Sequence, residues 1–139
     1  MFDHELRWYH GNALLVRSGC GGRFTFFIMI NYNDKRFGMV STSTGASSET
    51  IFHYHQDGDV AWGTFDSGSV RVGTFVATVD ANGVLDLRYA YVNQQGELLT
   101  GTSLSTPEVL ADGRIRLHED FQFTSGMQEK GVSVVEEIR

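Results

Sequence analysis

The chain has 139 residues, 41% of them hydrophobic and 12% aromatic, with one proline and 16 glycines, a size and composition that fit one globular domain with one core and exclude a disordered or fibrous chain. A formal charge of −6 without any basic stripe counts against binding a phosphate backbone, so no nucleic-acid partner is expected. Cys20 stands alone, which rules out an intrachain disulfide and calls for no oxidising compartment.

Residues 1–28 hold no sustained period of 2 or 3.6, and Asp3, His4 and Glu5 stand where a signal peptide would be basic, so no export and a cytoplasmic location are expected. The apolar run Phe24 to Ile30 is far shorter than the roughly 18–20 residues that cross a bilayer, so no membrane partner is expected. Met29 opens a cleaner pattern. One reading therefore takes 1–28 as an N-terminal extension and 29–139 as the domain; the other adds an N-terminal strand or short helix that plugs one end of the fold.

Strand-like runs then follow at 35–43, 49–56, 59–66, 69–79, 84–93, 97–110, 114–124 and 131–138. Turn signals separate them at Asp57-Gly58, Ser67-Gly68, Asn82-Gly83, Gln95-Gly96, Asp112-Gly113 and the looser stretch Ser125 to Lys130. Such pairs supply the positive φ angles of tight hairpins, which force sequential neighbours to pair antiparallel. Eight strands with no crossover helix predict an all-β fold, a single antiparallel up-and-down barrel of the lipocalin or streptavidin kind, because closure removes the exposed sheet edges. Gly63-Thr64-Phe65 and Gly73-Thr74-Phe75 read as hairpin chemistry used twice, and Pro107 implies a bulge or an edge in the sixth strand.

Several quoted segments carry a resemblance: Ile51-Phe52-His53-Tyr54-His55-Gln56-Asp57-Gly58, Leu87-Arg88-Tyr89, Asn93, Gly96-Glu97-Leu98 and Gly113-Arg114-Ile115-Arg116-Leu117-His118-Glu119. Over about residues 29–138 the chain resembles a family of short bacterial proteins often labelled N-acetylglutamate synthase. That label implies acetyl transfer from coenzyme A. The chain has no Gln/Arg-x-x-Gly-x-Gly/Ala run opening a helix, the arrangement that would grip a pyrophosphate, so acetyltransferase activity is disfavoured.

His53 and His55 share one strand face and are weak metal candidates, with His118, Glu119 or Asp120 as a third ligand only if the barrel brought them close. No metal is favoured. Neither a Gly-x-Ser-x-Gly elbow nor a phosphate loop or dinucleotide fingerprint occurs, so no cofactor is expected. Three functional classes remain. The first is a barrel that binds a small organic ligand in its interior. The second is an enzyme that uses interior polar residues. The third is a dimerisation or interaction domain that presents Phe52, Tyr54, Tyr89 or Tyr91 on its outer wall, with a homodimer as its simplest form.

The seventh run alternates, placing Ile115, Leu117, Glu119, Phe121 and Phe123 on one face, which is expected to point inward. A two-residue turn at Asp112-Gly113 would carry that face to Thr102, Leu104, Thr106 and Leu110, and a bulged turn at Gly96 to Arg88, Ala90 and Val92. Continued to the early strands, the count reaches His53, His55, Trp62 and Arg71 instead of the apolar Phe52, Tyr54 and Phe65, so one turn must carry an odd residue. A slip at Asn82-Gly83 keeps Arg88 inside; a slip near Gly96 brings in Leu85, Leu87, Tyr89 and Tyr91 and leaves Arg88 in solvent. The first is preferred. In the last run Val132, Val134, Glu136 and Ile138 share a face, and pairing apolar faces sets Glu119 opposite Glu136. Arg88, Glu119 and Glu136, with Thr102 and Phe121, are then the candidate ligand-binding residues, and the two glutamates with Arg88 a candidate acid/base pair.

Overall fold

The structure, a computed structural model, describes residues 7–10, 13–18, 25–44 and 49–139. Three strands, β1 (Arg7–His10), β2 (Ala13–Ser18) and β3 (Thr25–Ile30), form an antiparallel sheet in that order. Eight more close a barrel: β4 (Lys35–Thr42), β5 (Ile51–Asp57), β6 (Val60–Ser67), β7 (Val70–Val79), β8 (Leu85–Asn93), β9 (Leu98–Val109), β10 (Ile115–Phe123) and β11 (Lys130–Ile138). Each pairs antiparallel with the next, and β11 returns to β4. The expected all-β up-and-down barrel is therefore the fold, with strand limits within a few residues of those read from the sequence.

The hairpins explain how one face stays inside. Between β7 and β8, β8 and β9, and β9 and β10, the residues that flank the loop are Asp80 and Val84, Asn93 and Glu97, and Leu110 and Arg114, each pair joined by a backbone hydrogen bond of 2.8–3.0 Å. Three residues lie between the members of each pair, and the third is a glycine at φ +80 to +87° (Gly83, Gly96, Gly113). This is a turn followed by a left-handed residue, a conformation in which a side chain would be strained. The bulged turn expected at Gly96 and the odd residue expected at Asn82-Gly83 are both present, whereas the loop at Asp112-Gly113, expected to hold two residues, holds three and so reverses the face carried from β10 to β9 and β8. Further register shifts fall between Phe65 and Ser67 and between Val70 and Val72. Gly68 is not among the glycines with positive φ.

The inward set is consequently Leu85, Leu87, Tyr89 and Tyr91 on β8, and Gly101, Ser103 and Ser105 on β9. On β5 and β6 it is Phe52, Tyr54, Ala61, Gly63 and Phe65. The preferred register, with Arg88, Thr102 and Leu104 indoors, is corrected: Arg88 faces solvent at 59% side-chain exposure and pairs with Asp86 at 2.6 Å, and Thr102 and Leu104 lie on the outer face of β9. The proposed outer aromatics Phe52, Tyr54, Tyr89 and Tyr91 are also corrected, since all four point inward.

The two Gly-Thr-Phe copies meet reciprocally, Gly63 opposite Phe75 and Phe65 opposite Gly73. Each ring lies across its partner glycine, where a β-carbon would overlap it; Tyr89 over Gly101 and Phe121 over Gly131 repeat the device. Large rings can thus fill a narrow barrel without forcing the strands apart. Pro107 pairs with Leu117 on its β10 side, while pairing with β8 ends at Ser105. Its missing donor therefore falls where β9 is a local edge, and the strand needs no bulge against β10.

One half of the interior is solid. Tyr32, Phe37, Ala61, Leu85, Ile115, Leu117 and Val135 are fully buried there. Tyr32, in the segment between β3 and β4, caps this end, its ring 6.3 Å from Phe37 and 5.9 Å from Tyr54, and its hydroxyl donates to the Gly83 carbonyl at 2.5 Å. Among the described residues no helix is long and apolar enough to cross a membrane.

Candidate functional site

The other half of the barrel holds a cavity of about 150 Å³ open at one end. Strand pairing positions its walls. β4 and β5 pair from Lys35 to Gly38 against Ile51 to Tyr54, and just beyond this ladder the Met39 N–H donates to the Thr50 carbonyl at 3.2 Å. Phe52, Phe65, Tyr91, Phe123 and Phe121 form a collar, with successive ring centroids 5.4–6.4 Å apart. Tyr89 stacks on Tyr91 and stands edge-on to Phe123. The rim is hydroxylic, carrying Thr42, Thr44, Thr50, Ser67 and Ser69.

Glu119 sits where the cavity meets the packed half, one inward position beyond Leu117 on β10. It is 9% exposed. Two hydroxyls hold it: Ser133 of β11, its direct neighbour across the ladder, donates to Oε1 at 3.0 Å, and Ser105 of β9 donates to Oε2 at 3.2 Å. Ser103 lies 3.3 Å from Ser105, hydroxyl to hydroxyl. Burial outweighs these hydrogen bonds and pushes the Glu119 carboxyl up from its ordinary value near 4.5 to about 7. Burial also raises the phenols of Tyr54 and Tyr89, and the nearby Glu119 raises both further. The Tyr89 hydroxyl is buried and, among the described residues, makes no hydrogen bond.

Of the candidates read from the sequence, the structure brings Glu119 and Phe121 together in this cavity and takes the others away from it. Glu136 is opposite Arg116 on the outer wall, held by its guanidinium at 2.7 Å, with Arg114 at 3.7 Å. The expected pairing of Glu119 with Glu136 is off by three residues, because the loop after Phe123 closes at Glu129, and an odd shift turns the strand over. The more apolar face of β11 is thus its outer one, and Val132 is 56% exposed. Arg88 and Thr102 line a shallow groove on the outer wall. The acid/base pair of Glu119 and Glu136 with Arg88 is therefore not assembled.

His53 and His55 also lie on the outer wall, beside different carboxylates, Asp66 at 3.6 Å and Asp34 at 3.5 Å. His118 contacts Glu108, and no group of three such side chains able to hold a metal occurs among the described residues. Cys20 lies outside the described residues. At the closed end a wider cleft of about 720 Å³ runs past Lys35, Arg36, Asp112 and Arg139, and most of its charges are paired, Arg114 with Asp112 at 2.7 Å, Arg139 with Glu137 at 3.4 Å and Lys35 with Glu137 at 3.9 Å.

Sequence reasoning missed Ser103 and Ser133 as cavity residues, and Ser105 behind them, and it brought Tyr89 inside only in the register it did not prefer. The usable signal was the Gly at the third loop position of three consecutive hairpins: counting three-residue loops there carries the inward face of β10 to Ser103, Ser105, Tyr89 and Tyr91.

A closed eight-stranded meander with one half packed and the other open around aromatic walls defines a single-barrel protein of the calycin-like, ligand-binding type. The family model of the Avidin-like proteins matches residues 30–138, all eight barrel strands, and the chain belongs to that family. Searches of curated proteins and of solved structures found no match.

Proposed function

We propose that this protein binds a small organic ligand in the open half of its barrel, with Glu119 at the floor and the aromatic collar, Phe121 included, around the ligand. The observation that carries the reading is the contrast inside one barrel: the closed half is packed with fully buried side chains, whereas the open half keeps a cavity lined by a buried carboxyl, Glu119, and by Tyr89, whose buried hydroxyl has no partner among the described residues. A buried carboxyl without a counter-charge and a buried hydroxyl without a hydrogen bond are uncommon in a core and usual in a ligand site. Family membership supports it, since Avidin-like barrels include binders of small ligands such as biotin. Binding is favoured over catalysis because the acid/base partners expected beside Glu119 lie on the outer wall.

Native mass spectrometry of the full chain purified from its own host tests the reading, with Ser103→Leu as the control. Ser103 faces the cavity and is 6% exposed, so the added methyl groups enter the space a ligand would use. A retained small-molecule mass that disappears in Ser103→Leu is expected. A retained mass that survives the filling places the ligand elsewhere and overturns the proposal.

A further inference from the structure

We infer that the ligand of this cavity is a small organic ammonium ion, its charged head at Glu119 and its apolar body within the aromatic collar. The inference rests on the cavity being a ligand site. Of the described lining residues, none is Lys, Arg or His, and Glu119 is the single acid. An anionic ligand would meet a buried carboxyl with nothing to offset either charge. A cation meets the reverse. Among the described residues Glu119 has only two serine hydroxyls as partners, and a buried carboxylate is costly until a counter-charge joins it. An ammonium supplies that charge together with several N–H donors for the Glu119 oxygens. The collar adds the rest: Phe52, Phe65, Tyr89, Tyr91, Phe121 and Phe123 line the cavity, and aromatic rings attract cations through their faces, most strongly when water is excluded. A net charge of −6 favours the approach of a cation as well.

Among the described residues, the groups that line the cavity with Glu119 come from several elements. β5 contributes Tyr54 and β8 contributes Tyr89 and Tyr91, phenols that burial keeps protonated. β9 and β11 contribute serines, and β4, β6 and β7 contribute Met39, Phe65 and Phe75. None of these changes charge near neutrality, so the pH dependence of cation binding is that of Glu119 itself, whose carboxyl titrates at about 7. As for size, a cavity of about 150 Å³ holds a benzene-sized body.

Benzylamine, benzyl alcohol and benzoate therefore form a set of probes with one body and three heads. Each is titrated into the full chain at pH 8 and pH 6, with NMR shifts of the cavity residues as the readout. Benzylamine should bind at least about tenfold more tightly than benzyl alcohol at pH 8 and benzoate should not bind. Benzylamine affinity should fall about tenfold at pH 6, following the ionised fraction of Glu119, while the alcohol stays level. Glu119→Gln should bring benzylamine down to the alcohol and remove its pH dependence. If that variant does not fold, the wild-type pH dependence decides alone. Equal binding of amine and alcohol, or a flat pH profile for the amine, overturns the ammonium inference and leaves the ligand site standing; failure of all three probes overturns both.

Discussion

At the closed end of the barrel Phe37, Ile115, Leu117 and Val135 touch no solvent, whereas the same β4, β10 and β11 continue past them into Met39, Phe121 and Ser133 around a cavity of about 150 Å³. The strands do not change; what changes is which residues alternate inward. In the first half the inward positions are mostly apolar and interdigitate, as stability demands, with Glu137 buried at the end of β11 beside Arg139. In the second they include a carboxyl and three serines, which contribute less to stability than apolar packing would. Strength and binding are thus divided along the barrel axis.

The largest expected consequence is on stability. Phe37→Ala leaves a void in the packed half, where neighbouring strands cannot close in, and should cost about 3–5 kcal/mol. Phe121→Ala removes a ring that already borders a cavity and should cost less than half as much, while enlarging the cavity. Urea unfolding of both variants reads the comparison; equal losses would mean that the open half is packed as firmly as the closed one.

Next in size is the pH response of Glu119. Its folded value of about 7 stands above the ordinary value near 4.5, so the barrel keeps this proton at pH values where the unfolded chain loses it. The resulting stabilisation is full below about pH 4.5 and is lost as pH rises through 7, a loss of roughly 2 to 3 kcal/mol between pH 5 and pH 8. Glu119→Gln has no proton to lose. The difference in unfolding free energy between wild type and Glu119→Gln should therefore move toward the variant by that amount across the same range; a difference independent of pH would show that Glu119 titrates normally.

These two halves were not equally legible in the sequence. The packed half follows from ordinary alternation: Ile115 and Leu117 mark the inner face of β10, and the Gly-containing turns mark its neighbours. The cavity half breaks the pattern that makes faces readable. On β9 the inward residues are Gly101, Ser103 and Ser105 while Leu104 faces out, and on β11 Ser133 is inside while Val132 and Val134 are outside. A rule that sends apolar residues inward selects the wrong face in both, and with it Thr102 and Glu136. Glu119 and Phe121 were recovered because β10 is apolar at its other inward positions, and Arg88 was misplaced because the loop at Asp112-Gly113 has three residues and not two. Local rules fail where a site replaces packing with chemistry.

The smallest effect separates the halves by sign. Both ends contain a buried tyrosine: Tyr32, whose hydroxyl donates to the Gly83 carbonyl, and Tyr89, whose hydroxyl has no partner among the described residues. Tyr32→Phe removes a hydrogen bond and strands the carbonyl that accepted it, which should destabilise the barrel by about 1 kcal/mol. Tyr89→Phe removes a polar group that is already desolvated without compensation, and should stabilise the ligand-free protein by about 1 kcal/mol. The same deletion of one oxygen, measured by chemical unfolding without ligand, should thus move the midpoint in opposite directions at the two ends. A loss of stability in both variants would show that Tyr89 has a partner after all and that its hydroxyl is structural.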